Sequence, residues 1–197
     1  MTDRVEAIKN ALGNAHQLLQ EFVASESNSQ AILELSDQVA DAFDNQNRVY
    51  IAGNGGSQCD ALHFAEEFTG RYRDNRRALP AMALGEASHQ SCVSNDYGFE
   101  EIFSRQVEAF GQVGDVLILL STSGNSTNLV RAADMAKSKK VTSYALLGKG
   151  GGELKDQVDN YLIVPGVTSD RIQEIHMMIL HIVIETVERR LFPENYL

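Results

Sequence analysis

The sequence predicts an α/β protein, a three-layer αβα sandwich with a central parallel sheet, preceded by N-terminal helices. Short apolar runs of strand length alternate with longer stretches whose apolar residues recur at helical spacing, and a parallel sheet buried on both faces needs such crossover helices. Two loops of small residues, Gly53 to Ser57 and Ser121 to Ser126, each stand where an apolar run hands over to a helix. Ligands in open parallel sheets sit at those strand ends. At 197 residues and 43% hydrophobic content the chain is sized for one domain with one full core. Residues 1–197 are therefore read as a single domain, about 1–46 of it an added helical segment.

The opening is helical, because apolar residues recur from about Val5 to Phe22 through Ile8, Leu12 and Leu19, and again from about Ile32 to Phe43. Arg48-Val49-Tyr50-Ile51-Ala52 ends at Gly53 and predicts a short buried strand, after which Ser57 begins a helix that carries Cys59 through Thr69. A weaker strand is predicted at Ala81 to Leu84, with helices around Ser88 to Asn95 and from Glu100 to Phe110. Asp115 to Leu120 is the clearest strand, aliphatic after its first residue, and it stops at Ser121. A helix from Asn125 to Lys137, strands at Val141 to Leu147 and Tyr161 to Val164, and a long helix from about Ser169 to Leu191 follow. The stretch Gly148-Lys149-Gly150-Gly151-Gly152 reads mainly as a structural turn.

A formal net charge of -10 argues against bulk binding to nucleic acid or to an anionic membrane. An anionic substrate must then be captured locally, by oriented backbone and hydroxyl donors. The first residues are charged and lack a signal-peptide core, and no apolar run approaches the ~20 residues of a membrane span, so the expected location is the cytoplasm. Cys59 and Cys92 lack C-x-x-C spacing, which argues against a disulfide framework and predicts reduced thiols packed in the interior.

Gly53-Asn54-Gly55-Gly56-Ser57 frees the backbone to turn sharply and aims N–H groups at a helix start, where the dipole favours an anion. Gln58 stands where the dinucleotide fingerprint needs its third glycine, and no Walker loop occurs in the chain. The alternative is a tight turn with no ligand. Ser121-Thr122-Ser123-Gly124-Asn125-Ser126 places four hydroxyls within six residues at a strand end. Neutral donors of that kind can fix a dianionic phosphate through charge-assisted hydrogen bonds; a plain serine-rich turn with an N-cap is the alternative.

The third feature is polar. His63 and Glu67 are four apart on one predicted helix and share a face, so they suit a Zn²⁺ ion or an acid/base relay, or else a helix-stabilising surface pair. On the last helix Gln173 and His181 are eight apart, roughly 12 Å along the axis, and converge only by leaning toward one another. His176 and His181 cannot share a face well, which leaves one of them to packing or a subunit contact. Phosphate loops beside such a set predict an enzyme acting on a phosphorylated metabolite.

These residues resemble the sugar isomerase (SIS) domain family over nearly the whole chain. The resemblance rests on G-N-G-G-S at Gly53 to Ser57, H-F-A-E-E at His63 to Glu67, T-G-R-Y-R at Thr69 to Arg73, Asn95-Asp96, S-T-S-G-N-S at Ser121 to Ser126, D-R-I-Q-E-I-H at Asp170 to His176, and His181. It implies a flavodoxin-like SIS fold. It is tightest to the branch that converts sedoheptulose 7-phosphate to D-glycero-D-manno-heptose 7-phosphate through a cis-enediol, the first step toward nucleotide-activated heptose for lipopolysaccharide or other surface glycans.

By that resemblance His63, Glu67, Gln173 and His181 hold one zinc ion per subunit, and Glu67 and His181 are the catalytic base and acid. Asn54, Gly55, Gly56, Asn95 and Asp96, with Glu67 and Gln173, meet the sugar, while Ser121, Thr122, Ser123 and Ser126 grip its phosphate. The resemblance also implies a homotetramer with active sites at subunit interfaces. Two rivals within the family are an adaptor that binds the replication initiator protein without catalysis and a sugar-phosphate-sensing regulator. The adaptors lack the second Glu of H-F-A-E-E and the distal His, both present here as Glu67 and His181, and no DNA-binding segment is evident.

Overall fold

A computed structural model describes residues 2–197 and bears out the α/β sandwich with its leading helices. Helices α1 (Thr2–Val23) and α2 (Glu26–Asp44) precede β1 (Val49–Gly53), α3 (Gly56–Thr69), β2 (Ala81–Ala83), α4 (Ala87–Asp96) and α5 (Ser104–Phe110). There follow β3 (Val116–Ser121), α6 (Thr127–Lys139), β4 (Thr142–Gly148), β5 (Asn160–Val164) and α7 (Ser169–Leu191). Helix α2 starts before the expected Ile32, because its first turns, Glu26 to Gln30, are polar and carry no apolar period. The helix expected over Glu100 to Phe110 is divided, a single 3₁₀ turn at Phe99–Glu101 preceding α5.

The five strands are all parallel, in the order β2-β1-β3-β4-β5. The chain leaves β1 toward one edge and resumes at β3 on its other side, so the strand order reverses between them. Gly53 pairs in register with Leu120. The loops after β1 and β3 therefore leave the sheet side by side at its switch point, the crevice where open α/β sheets take their ligands.

Side chains alternate across the strands and fill two cores. Val49 and Ile51 of β1 with Ile118 and Leu120 of β3 meet α2, α3 and α7 through Leu35, Phe64, Phe68, Ile179 and Val183. Tyr50, Ala52, Leu117 and Leu119 meet the layer built from α4, α5 and α6 through Val93, Val107, Leu129 and Ala133. Burial on both faces is why these strands read as unbroken apolar runs.

One buried ion pair joins α3 to α7. The Arg76 and Glu188 side chains are 1% and 0% exposed and meet at 2.8 Å. Arg76 also donates to the carbonyl oxygens of Glu67, Phe68 and Gly70, groups that the last turn of α3 leaves without partners. The Tyr196 hydroxyl donates to the second Glu188 oxygen at 2.9 Å. Every charge in this network is compensated, which is the condition for an ion pair to be tolerated in a core.

The cysteines correct the expectation of interior packing, since both Cys59 and Cys92 are free and exposed. Cys59 lies off the buried stripe of α3 formed by Ser57, Ala61, Phe64, Ala65 and Phe68, and α4 buries only Val93. Among the described residues no helix is long and apolar enough to cross a membrane.

Candidate active site

The loop after β1 turns directly into α3. Gly56 is required there by packing, because a Cβ would lie 2.8 Å from Oε1 of Gln173, whose amide closes over this turn and donates to Ser57 Oγ at 3.2 Å. Gln173 thus ties α7 to the start of α3. Asn54 reaches across to α6, where its side-chain amide exchanges two hydrogen bonds with that of Asn128, each 2.9 Å. That pair fixes the two loops to one another. Asn128 carried no signal in the sequence, because an Asn one residue into a helix is ordinary there.

In the loop after β3, Ser121 Oγ accepts from the Gly124 N–H at 3.0 Å and Ser123 Oγ accepts from Asn125 at 3.2 Å. Both hydroxyls keep their own protons free to donate. Thr122 Oγ1 donates to Ser169 Oγ at 3.0 Å. Ser126 occupies the N-cap position of α6 but makes no side-chain cap hydrogen bond, so the simple capping reading fails and its hydroxyl is available. Asn54, Gly55, Ser126 and Asn128 line an open cleft of about 780 Å³, with Gln90, Glu100 and Arg131 at its sides.

The polar cluster forms where α3 and α7 pack. His63 and Glu67 lie beside the buried stripe of α3, and His181 follows buried Leu180 on α7. His63 Nε2 is 3.3 Å from Glu67 Oε1, and the His63 and His181 rings meet edge-on at 5.1 Å. One ligand atom from each of the three falls within 4.8 Å of the others. Tyr72 stacks on His181 at 6.0 Å, a contact that the spacing of T-G-R-Y-R did not disclose. Two imidazoles and a carboxylate so arranged fit a borderline N/O-seeking ion such as Zn²⁺.

Burial and the neighbouring His63 hold the His181 imidazole below its ordinary range, with Glu67 pulling the other way. The neutral form that binds a metal or accepts a proton is thereby favoured. Asp60, one turn before His63, is pushed up by burial, opposed by His63. His176 is the histidine given to packing: it is fully buried, its Nε2 donates to the Leu147 carbonyl at 3.1 Å, and burial lowers it to about 4.

Not every expected residue converges within one chain. His63, Glu67 and His181 do not line the cleft; His63 is seven residues into α3, roughly 10 Å along its axis. The Gln173 Nε2 is engaged by Ser57 at the start of α3. Asn95 and Asp96, at the exposed end of α4, bond to each other at 2.7 Å, and Asp96 lines a separate hollow with Cys92 and Tyr97. Next to the His63, Glu67 and His181 cluster along α3 and α7, Leu62, Met178 and Ile182 are exposed apolar residues.

Residues 12–148 match the family model described as SIS domain. A phosphoheptose isomerase of Fusobacterium nucleatum is 54% identical over 180 residues, spanning 91% of this chain and 93% of that relative. One of Sodalis glossinidius is 48% identical over 191 residues, spanning 96% and 98%. Among solved structures, a phosphoheptose isomerase of Francisella tularensis aligns with a TM-score of 0.90 at 30% identity, covering 94% of this chain and 98% of its own. That of Neisseria gonorrhoeae aligns at 0.87 with 33% identity, covering 93% and 97%.

Proposed function

This chain belongs to the phosphoheptose isomerases of the SIS domain family, and from that premise we propose how its residues carry the reaction. It is an aldose–ketose isomerase that converts sedoheptulose 7-phosphate to D-glycero-D-manno-heptose 7-phosphate. The observation that carries the chemistry is the convergence of His63, Glu67 and His181 between α3 and α7. The non-catalytic adaptor reading finds no support among these relatives, all of which are named as the isomerase.

The hydroxyls of Ser121, Thr122, Ser123 and Ser126 with their backbone N–H groups hold the phosphate, and Asn54, Gly55 and Gly56 hold the reacting end of the sugar. Glu67 takes a proton from C1 of the ketose while His181 supplies one to the C2 oxygen, giving the cis-enediol. Loss of the O1 proton and return of the carbon-bound proton to C2 give the aldose, so atoms and charge balance. His63, Glu67 and His181, joined by Gln173, would hold one Zn²⁺ per subunit, which when bound polarises the carbonyl and hydroxyl oxygens. The preference of His181 for its neutral form supports its part as a metal ligand.

The assembly is proposed as a homotetramer in the cytoplasm, with residues 1–197 one SIS domain and the helical segment about 1–46 packing between subunits. Exposed Val5, Ile8 and Leu12 on α1, and Leu62, Met178 and Ile182 beside the cluster, support this. Asn95 and Asp96, which do not line the cleft of their own chain, are proposed to reach substrate across an interface. The product serves nucleotide-activated heptose for lipopolysaccharide or another surface glycan. The test is NMR of zinc-loaded protein with sedoheptulose 7-phosphate in D₂O. Aldose carrying deuterium at C2 is expected, with turnover reduced at least about 100-fold in Glu67→Gln. Folded, metal-loaded protein that neither turns over nor exchanges would sink the reading.

A further inference from the structure

The glycine-rich loop after β4 is built against the loop after β3. A Cβ on Gly124 would collide with the carbonyl of Gly151, so the two backbones touch where no side chain fits. The Leu154 N–H donates to the Gly124 carbonyl at 2.8 Å, and the Glu153 N–H to Asn125 Oδ1 at 3.0 Å. The segment that reads in sequence as a loose turn is therefore fixed to the Ser121–Ser126 loop.

Lys149 is the only cation this segment presents before Gly152. Its φ of 49° lies in the left-handed region, uncommon for a residue with a side chain. Its Nζ donates to Ser169 Oγ at 3.4 Å, the same oxygen that accepts from Thr122 Oγ1 at 3.0 Å. The neighbouring acid of α7, Asp170, is taken by Arg171 at 3.4 Å, and Arg131 of the cleft faces Glu101 at 3.8 Å. Among the described residues Lys149 makes no ion pair within 4.0 Å. An acidic chain thus keeps one uncommitted ammonium a single hydroxyl away from its row of neutral phosphate donors.

We propose that Lys149 is a specificity-determining residue of this site, supplying the cationic contact for a phosphate dianion held by the Ser121–Ser126 loop. The proposal rests on the reading of that loop as the phosphate grip. Neutral donors define where the phosphate sits, and the ammonium selects for its second negative charge over neutral or singly charged analogues. Ser169 holds the ammonium in place until substrate arrives.

The experiment compares wild type, Lys149→Gln, Lys149→Arg and Thr122→Val by steady-state kinetics and by calorimetric binding of sedoheptulose 7-phosphate and inorganic phosphate. Lys149→Gln is expected to raise KM and both dissociation constants about tenfold, the loss of one hydrogen bond to a charged group, with kcat within about twofold. Lys149→Arg is expected to restore most of the affinity. Unchanged affinities in Lys149→Gln, or a fall in kcat alone, would overturn the proposal. If Thr122→Val weakens binding while Lys149→Gln does not, the phosphate loop stands and Lys149 is dismissed. If neither weakens binding, the reading of the loop falls with it. Because binding is measured directly, the result holds even for protein that does not turn over.

Discussion

His176 shows what a buried imidazole does when chemistry has no use for it. Its ring is enclosed and lowered to about 4, from an ordinary value near 6.5. The unfolded chain therefore binds this proton more tightly, and folding stability is full above pH ~6.5 and falls as pH drops toward 4. This group alone accounts for a loss of about 2 kcal/mol by pH 5. Urea unfolding of His176→Gln, which keeps a donor for the Leu147 carbonyl, is expected to show a shallower fall across that window. Gly124 makes the opposite case. It is at φ 68° against the Gly151 carbonyl, so Gly124→Ala is expected to force the two loops apart and to weaken phosphate binding at least tenfold by calorimetry.

At the scale of elements, the site depends on how α3 and α7 are held together. The Arg76–Glu188 pair joins the ends of those helices beyond Glu67 and His181. Arg76→Met leaves the Glu188 carboxylate buried without its counter-charge, with only the Tyr196 hydroxyl still donating to it, and is expected to cost about 3–5 kcal/mol in urea unfolding. Arg76→Met with Glu188→Leu should recover much of it, since no charge then remains to be compensated. Zinc affinity is expected to fall in the single variant with the spacing of the helices.

Sequence reading succeeded where burial writes a period. Val116 to Leu120 and Val49 to Ala52 were legible as strands because both their faces are covered, and the loops that follow were legible through their glycines and hydroxyls. It failed for α2, whose polar first turns hide its start, and for Asn128 and Lys149, whose importance comes from partners 74 and 20 residues away. No local pattern encodes such partners. The i,i+4 spacing of His63 and Glu67 disclosed their pairing, whereas their approach to His181 required the packing of α3 against α7.

For the molecule as a whole, the exposed apolar residues of α1 and those beside the polar cluster lead to one expectation. Ile182→Glu places a charge in the proposed subunit contact, next to His181. It is expected to lower the mass in sedimentation velocity from tetramer toward smaller species and to reduce kcat/KM together with the assembly. A variant that becomes monomeric yet keeps full activity would separate the site from the interface.

The reciprocal amide pair between Asn54 and Asn128 also bears on how the protein ages. Asn54 is followed by Gly55, the neighbour that least obstructs attack of a backbone nitrogen on an asparagine side chain. Both polar atoms of the Asn54 amide are engaged by Asn128, which restrains the rotation such cyclisation needs. Once deamidated, residue 54 would have no donor left for Asn128 Oδ1 and would set a carboxylate at the sugar end of the cleft. Stored enzyme is therefore expected to lose activity in step with one deamidation in the peptide containing Asn54, and occupied enzyme to keep it longer.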